Sequence, residues 1–85
     1  MTDNSPAALI LAVDDSESTL EVLRRNLEAA GYRVLTAIGV PEAIALLDEH
    51  AVDLVITDLK MPRVSGLDLV RHIRENNRNT EVMMI

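Results

Sequence analysis

Two sets of carboxylates stand where apolar runs end. Asp14 and Asp15 directly follow the run from Ala7 to Val13, and Asp58 directly follows Val55, Ile56 and Thr57. If those runs are strands of one parallel sheet, their C-terminal ends share an edge, and neighbouring strands bring the three acids together. Ligand sites in open α/β sheets lie at that edge, where the strand order reverses. Three carboxylates in one pocket repel one another unless a cation sits among them. Oxygen donors with no His or Cys nearby favour magnesium, which takes few carboxylates and keeps several waters. A carboxylate held beside such an ion can act as a nucleophile toward phosphorus, while the ion offsets charge on the phosphoryl oxygens. Behind Asp58 the chain runs through Lys60, Met61 and Pro62 to Gly66. Proline stiffens a loop after a strand tip, and glycine permits a tight turn into the next element.

The elements that must position these acids follow from the hydrophobic pattern. Ala7 to Val13 is a continuous apolar run, as expected of a strand covered on both faces. From Ser16 to Ala30 the period changes to that of a helix, with Leu20, Leu23 and Leu27 on one stripe and Val22 widening it. Ser18 with Glu21 forms a capping-box pattern, and Gly31 is a natural stop. Tyr32 to Ala37 reads as a second strand. Pro41 suits the first turn of a second helix whose Ala43, Ile44 and Leu47 face inward. Leu54 to Thr57 is a third strand, Leu67 to Glu75 a third helix with Val70 and Ile73 inside, and Val82 to Ile85 a fourth strand. Strands and helices alternating at these lengths predict right-handed crossovers and a parallel α/β sheet with helices on both faces. Residues 1–6 are expected to be a flexible N-terminus, with one folded unit over 7–85.

Composition narrows the functions. The chain has 85 residues and a formal net charge of −6, with its basic residues scattered rather than clustered. Direct nucleic-acid binding by this segment is therefore disfavoured, because phosphate contacts need grouped Lys and Arg. Tyr32 is the sole aromatic residue among Phe, Trp and Tyr, so the core must be aliphatic. With no cysteine there is no disulfide framework or thiolate metal site. The start, MTDNSP, lacks the features of a signal peptide, and no apolar run approaches the roughly 20 residues that span a bilayer. A cytoplasmic protein without membrane contact is the expectation. His50 and His72 read as surface residues on helices.

These residues also resemble a family. The run LILAVDD (Leu9 to Asp15), followed by ITDLKMPRVSG, is similar to the receiver domain of two-component response regulators, with Asp58, Met61, Pro62 and Gly66 fitting the pattern D-x-x-M-P-x-x-x-G. The resemblance implies a flavodoxin-like, doubly wound parallel sheet, here in the strand order 2-1-3-4. It implies that Asp58 is the phosphoacceptor, that Asp15 and Asp58 ligate Mg2+ directly, that the Lys60 backbone carbonyl joins them, and that Asp14 acts through water. Met61, Pro62 and Gly66 would shape the loop. A sensor histidine kinase is the implied phosphodonor. TDLKMP with GLDLVRHIRE looks most like receivers fused to transcriptional activators, which implies an output domain in the parent chain.

The pattern departs from the family at its end. A full receiver continues to a Thr or Ser after the fourth strand and a Lys at the end of the fifth, and neither position falls within the 85 residues. The fifth strand and last two helices are likewise outside them. The expectation is a partial receiver whose open edge favours self-association. An alternative reading is a phosphorylation-independent interaction or assembly fragment. A haloacid-dehalogenase-type phosphatase fits less well, since that family wants a second Asp where Lys60 stands. A dinucleotide-binding domain fits less again, since DDSES replaces a glycine-rich turn.

Overall fold

In a computed structural model, residues 7–58, 66–76 and 79–85 are described. Seven elements alternate: β1 (Leu9–Val13), α1 (Glu17–Ala29), β2 (Arg33–Ala37), α2 (Val40–Glu49), β3 (Leu54–Thr57), α3 (Gly66–Asn76) and β4 (Glu81–Met84). All four strands are parallel, in the order β2-β1-β3-β4. The expected order is observed, and β1 lies inside the sheet, buried along its whole length.

Register divides the strand side chains between two faces. Leu9, Leu11, Val13 and Val55 join Ala43 and Leu47 of α2 and Leu69 and Ile73 of α3 in one apolar cluster. Ile10, Ala12 and Ile56 are buried with the opposite parity, on the face covered by α1 through Leu20. A continuous apolar strand is thus explained by helices on both sides.

Several local expectations need correction. The N-cap of α1 is Ser16 rather than Ser18: Ser16 has extended backbone, and its hydroxyl accepts the Thr19 N–H. Glu21 does not close a capping box but pairs with Arg24 and Arg25 one turn on, where guanidinium groups outcompete a backbone N–H. Val22 is 58% exposed instead of widening the buried stripe. In α3, Leu69 and Ile73 are the buried pair and Val70 is half-buried. His72 is half-buried against α2, its Nε2 3.6 Å from Asp48 Oδ1, so it is not a plain surface residue. The glycine stop holds: Gly31 has φ 99°, a conformation that a residue with a side chain adopts only at a cost. Residues 1–6, expected to be flexible, lie outside the described residues.

Leu69 carries α3 onto the core with no exposed surface. Leu69→Ala should lower unfolding stability by about 2–5 kcal/mol in urea titration, whereas Leu69→Met should cost under about 1.5 kcal/mol.

Candidate functional site

The site is built by the pairing of β1 with β3. Their register sets Ile10 against Leu54 and Val13 against Thr57, so Asp14 and Asp58 are the next residues on two adjacent strands. Backbone bonds continue across the tips: Asp58 N–H donates to Val13 O at 3.4 Å, and Asp14 N–H donates to Ala37 O at 3.1 Å. Asp14 is therefore tied to β2 on one side, while its own strand receives Asp58 on the other.

The three acids sit in different surroundings. Asp14 is buried, and its Oδ1 accepts the Ser16 N–H at 2.8 Å, turning the chain into the N-terminus of α1. Asp15 is exposed and Asp58 half-buried. Among the described residues, no group of three or more His, Cys, Asp or Glu side chains is gathered closely enough to hold a metal ion. The two strand tips are thus brought side by side in the backbone, while Asp14 is occupied with Ser16 and Asp15 reaches solvent. Lys60, Met61 and Pro62 lie outside the described residues; Gly66 opens α3.

Further acids line a cleft beside this edge. A cleft of about 300 Å³ opens between α1, the end of β2 and the start of α2, lined by Glu17, Leu20, Glu21, Thr36, Ile38 and Glu42. Glu42 accepts the Ile38 N–H at 3.1 Å and steadies the start of α2. The Arg24 guanidinium, and after it that of Arg25, hold the Glu21 carboxyl below its ordinary value of 4.5. The oxygen-only donor set fits a hard cation such as magnesium better than a transition metal.

Three participants are not among the residues singled out by sequence. Ser16 caps the helix that Asp14 starts, the Ala37 carbonyl anchors Asp14 from β2, and Asp53 binds Leu9 at the far end of the sheet. The DDS run itself carries a signal for Ser16, because an Asx turn leading into a capped helix needs short polar residues there. Nothing local marks Ala37 or Asp53.

The family model for the response regulator receiver domain matches residues 10–85. The chain belongs to that family. The virulence sensor protein BvgS of Bordetella pertussis is 48% identical over 65 residues, covering 76% of this chain and 5% of that protein. The alkaline phosphatase synthesis transcriptional regulatory protein PhoP of Bacillus subtilis is 33% identical over 76 residues, covering 89% and 32%. This receiver chain therefore spans a third or less of those curated relatives. Chemotaxis protein CheY4 of Vibrio cholerae superposes with a TM-score of 0.87 at 35% identity, over 92% of this chain and 67% of that one. The response regulator TrrA of Thermotoga maritima, solved with Mg2+ and BeF, gives 0.84 at 34% identity over 91% and 67%. TrrA was also solved with its histidine kinase ThkA, at 0.83 and 34%, over 91% and 66%. The flavodoxin-like receiver fold and membership of two-component signalling follow. Among the described residues no helix is long and apolar enough to cross a membrane.

Two outcomes check this geometry. Ser16→Ala should cost about 0.5–2 kcal/mol in thermal melts, because the first turn of α1 loses its side-chain acceptor. Glu21 has a folded-state value below its unfolded one, so its contribution is complete above the unfolded value and lost as pH falls through the folded value. Glu21→Gln should therefore flatten the acid limb of stability against pH, measured by melts across the acid range.

Proposed function

We propose that this receiver domain accepts a phosphoryl group on Asp58 from a sensor histidine kinase and uses the modification to control an output domain of its parent chain. The observation that carries the reading is the β1–β3 register, which makes Asp14 and Asp58 successors on adjacent strands of a chain belonging to the receiver family. A carboxylate oxygen of Asp58 attacks the phosphorus of a phosphohistidine. The P–N bond breaks, the imidazole leaves with its electron pair, and an aspartyl acyl phosphate remains. Magnesium supplies neutralisation of charge on the phosphoryl oxygens. Asp15, Asp58 and the Lys60 carbonyl would hold it directly and Asp14 through water. Met61, Pro62 and Gly66 would shape the chain behind Asp58. TrrA, solved with Mg2+ and BeF and again with a histidine kinase, supports the ion and the donor.

The domain binds no outside substrate for turnover in this reading. It catalyses its own phosphorylation and hydrolysis, and the acyl phosphate shifts a two-state equilibrium that the output domain reads. The name of PhoP, a transcriptional regulatory protein, supports a transcriptional output. Residues 7–85 act as the receiver unit, and the surroundings are cytoplasmic.

One observation favours a second role. β4 pairs with β3 on one side, and its Met83 and the adjoining Ile85 are 51% and 59% exposed. Apolar side chains beside an edge strand favour association, and the 85-residue chain taken alone is expected to self-associate. If this were its whole function, association would be indifferent to magnesium and beryllofluoride in size-exclusion chromatography.

Incubation with acetyl phosphate and magnesium, followed by intact-mass spectrometry, tests the main reading. A single phosphoryl adduct removable by hydroxylamine and lost in Asp58→Asn is expected. No adduct on the full parent chain, or one that survives Asp58→Asn, would sink it.

A further inference from the structure

The N-terminal edge of the sheet, opposite the strand-tip acids, is laced by side chains. Between β2 and β1, Arg33 Nε donates to Ala7 O at 3.0 Å. Between β3 and β1, Asp53 Oδ2 accepts the Leu9 N–H at 2.8 Å. Between β4 and β3, Thr80 Oγ1 donates to Val52 O at 2.7 Å. Each pair of neighbouring strands thus carries one side-chain latch at this edge.

Asp53 differs from the other two. Its own N–H donates to Leu9 O at 2.9 Å while its carboxylate takes the Leu9 N–H, so both backbone groups of buried Leu9 are satisfied by one residue. Its carbonyl also accepts the Glu81 N–H at 3.0 Å, tying β4 to the same point. β3 begins only at Leu54, so no strand carbonyl faces the Leu9 N–H, and the carboxylate stands in for one. That double bond pattern forms in one register alone. A shift of one residue would turn every β3 side chain to the other face and move Asp58 by about 3.3 Å along the strand.

We infer that Asp53 is a positioning residue: by clamping Leu9 at one edge of the sheet, it fixes the β1–β3 register that sets Asp58 level with Asp14 at the other. The clamp lies five residues from Asp58 along β3, roughly 16 Å away, and acts through the strand rather than by contact. A small axial displacement matters because in-line attack tolerates little misplacement of the nucleophile. The inference rests on Asp58 being the phosphoacceptor.

The test uses the full parent chain and four variants: Asp53→Ala, Asp53→Asn, Asp53→Glu and Thr80→Val. Thr80→Val removes a latch of the same kind that does not touch β1, and so controls for lost stability. Phosphorylation rates with acetyl phosphate and magnesium are compared where every variant is folded, together with the amide chemical shifts of Asp14 and Asp58. Asp53→Ala should slow the reaction roughly tenfold. Asp53→Asn, which keeps a carbonyl acceptor for Leu9, should restore it to within about twofold. Thr80→Val should melt lower yet react at the wild-type rate. Should Asp53→Ala not fold, Asp53→Glu carries the comparison, since its acceptor is displaced by one methylene: a slowed rate supports the clamp and a wild-type rate overturns it. The idea is overturned if Asp53→Ala reacts normally, or if Thr80→Val is slowed as much. A wild-type chain that takes no phosphoryl group at all would remove the functional reading instead. In that case the amide shifts decide: movement at Asp14 and Asp58 in the Asp53 variants upholds the clamp, and none overturns it.

Discussion

The pairing of β1 with β3 is the constraint on which the rest of the molecule depends. It joins Leu11 and Val55, neither with any exposed surface, in the middle of the sheet, and it lines up the residues that follow each strand. Parallel strands of this kind need crossover helices, and those helices cover both faces, so β1 can be apolar throughout. The core cost of moving that pairing is large, because a slip exposes the very side chains that α2 and α3 cover. The acids at the tips inherit their placement from this apolar economy.

Polar interactions then refine what packing has set. At one edge Asp53 closes the register on Leu9; at the other, Asp14 binds Ser16 and turns the chain into α1. The two aspartates do opposite jobs with the same chemistry. Asp53 uses its carboxylate to complete a strand, whereas Asp14 uses its carboxylate to end one. Between them, the register of β1 and β3 leaves Asp14 and Asp58 as the next residues at two adjacent strand tips, with Asp15 exposed beside them.

How much of this could be read from the residues depended on how local the cause was. The alternation of apolar runs and helical stripes was legible because each element carries its own period, and the strand order came with the paired DD and D-x-x-M-P patterns. The helix start was misassigned because Ser16 and Ser18 are both good caps, and the Ser16 hydroxyl, which accepts the Thr19 N–H, decides between them. Val22 looked buried because its spacing fits the stripe, but α1 presents a narrower face to β1 and β2 than the pattern allows. Asp53 was invisible: a polar residue before a strand is ordinary, and its partner Leu9 lies 44 positions away. Lys60, Met61 and Pro62 lie outside the described residues, so the expectation for them rests on pattern alone.

The central claim is that the two strand tips form one magnesium-dependent phosphoryl site. Backbone amide spectra of the full parent chain, recorded on adding magnesium and then beryllofluoride, test it most directly. The account predicts that the amides of Asp14, Asp15 and Asp58 all shift, that they do so with a single shared dissociation constant, and that the beryllofluoride step requires magnesium. Shifts confined to one strand tip, or beryllofluoride binding that is indifferent to magnesium, would contradict it.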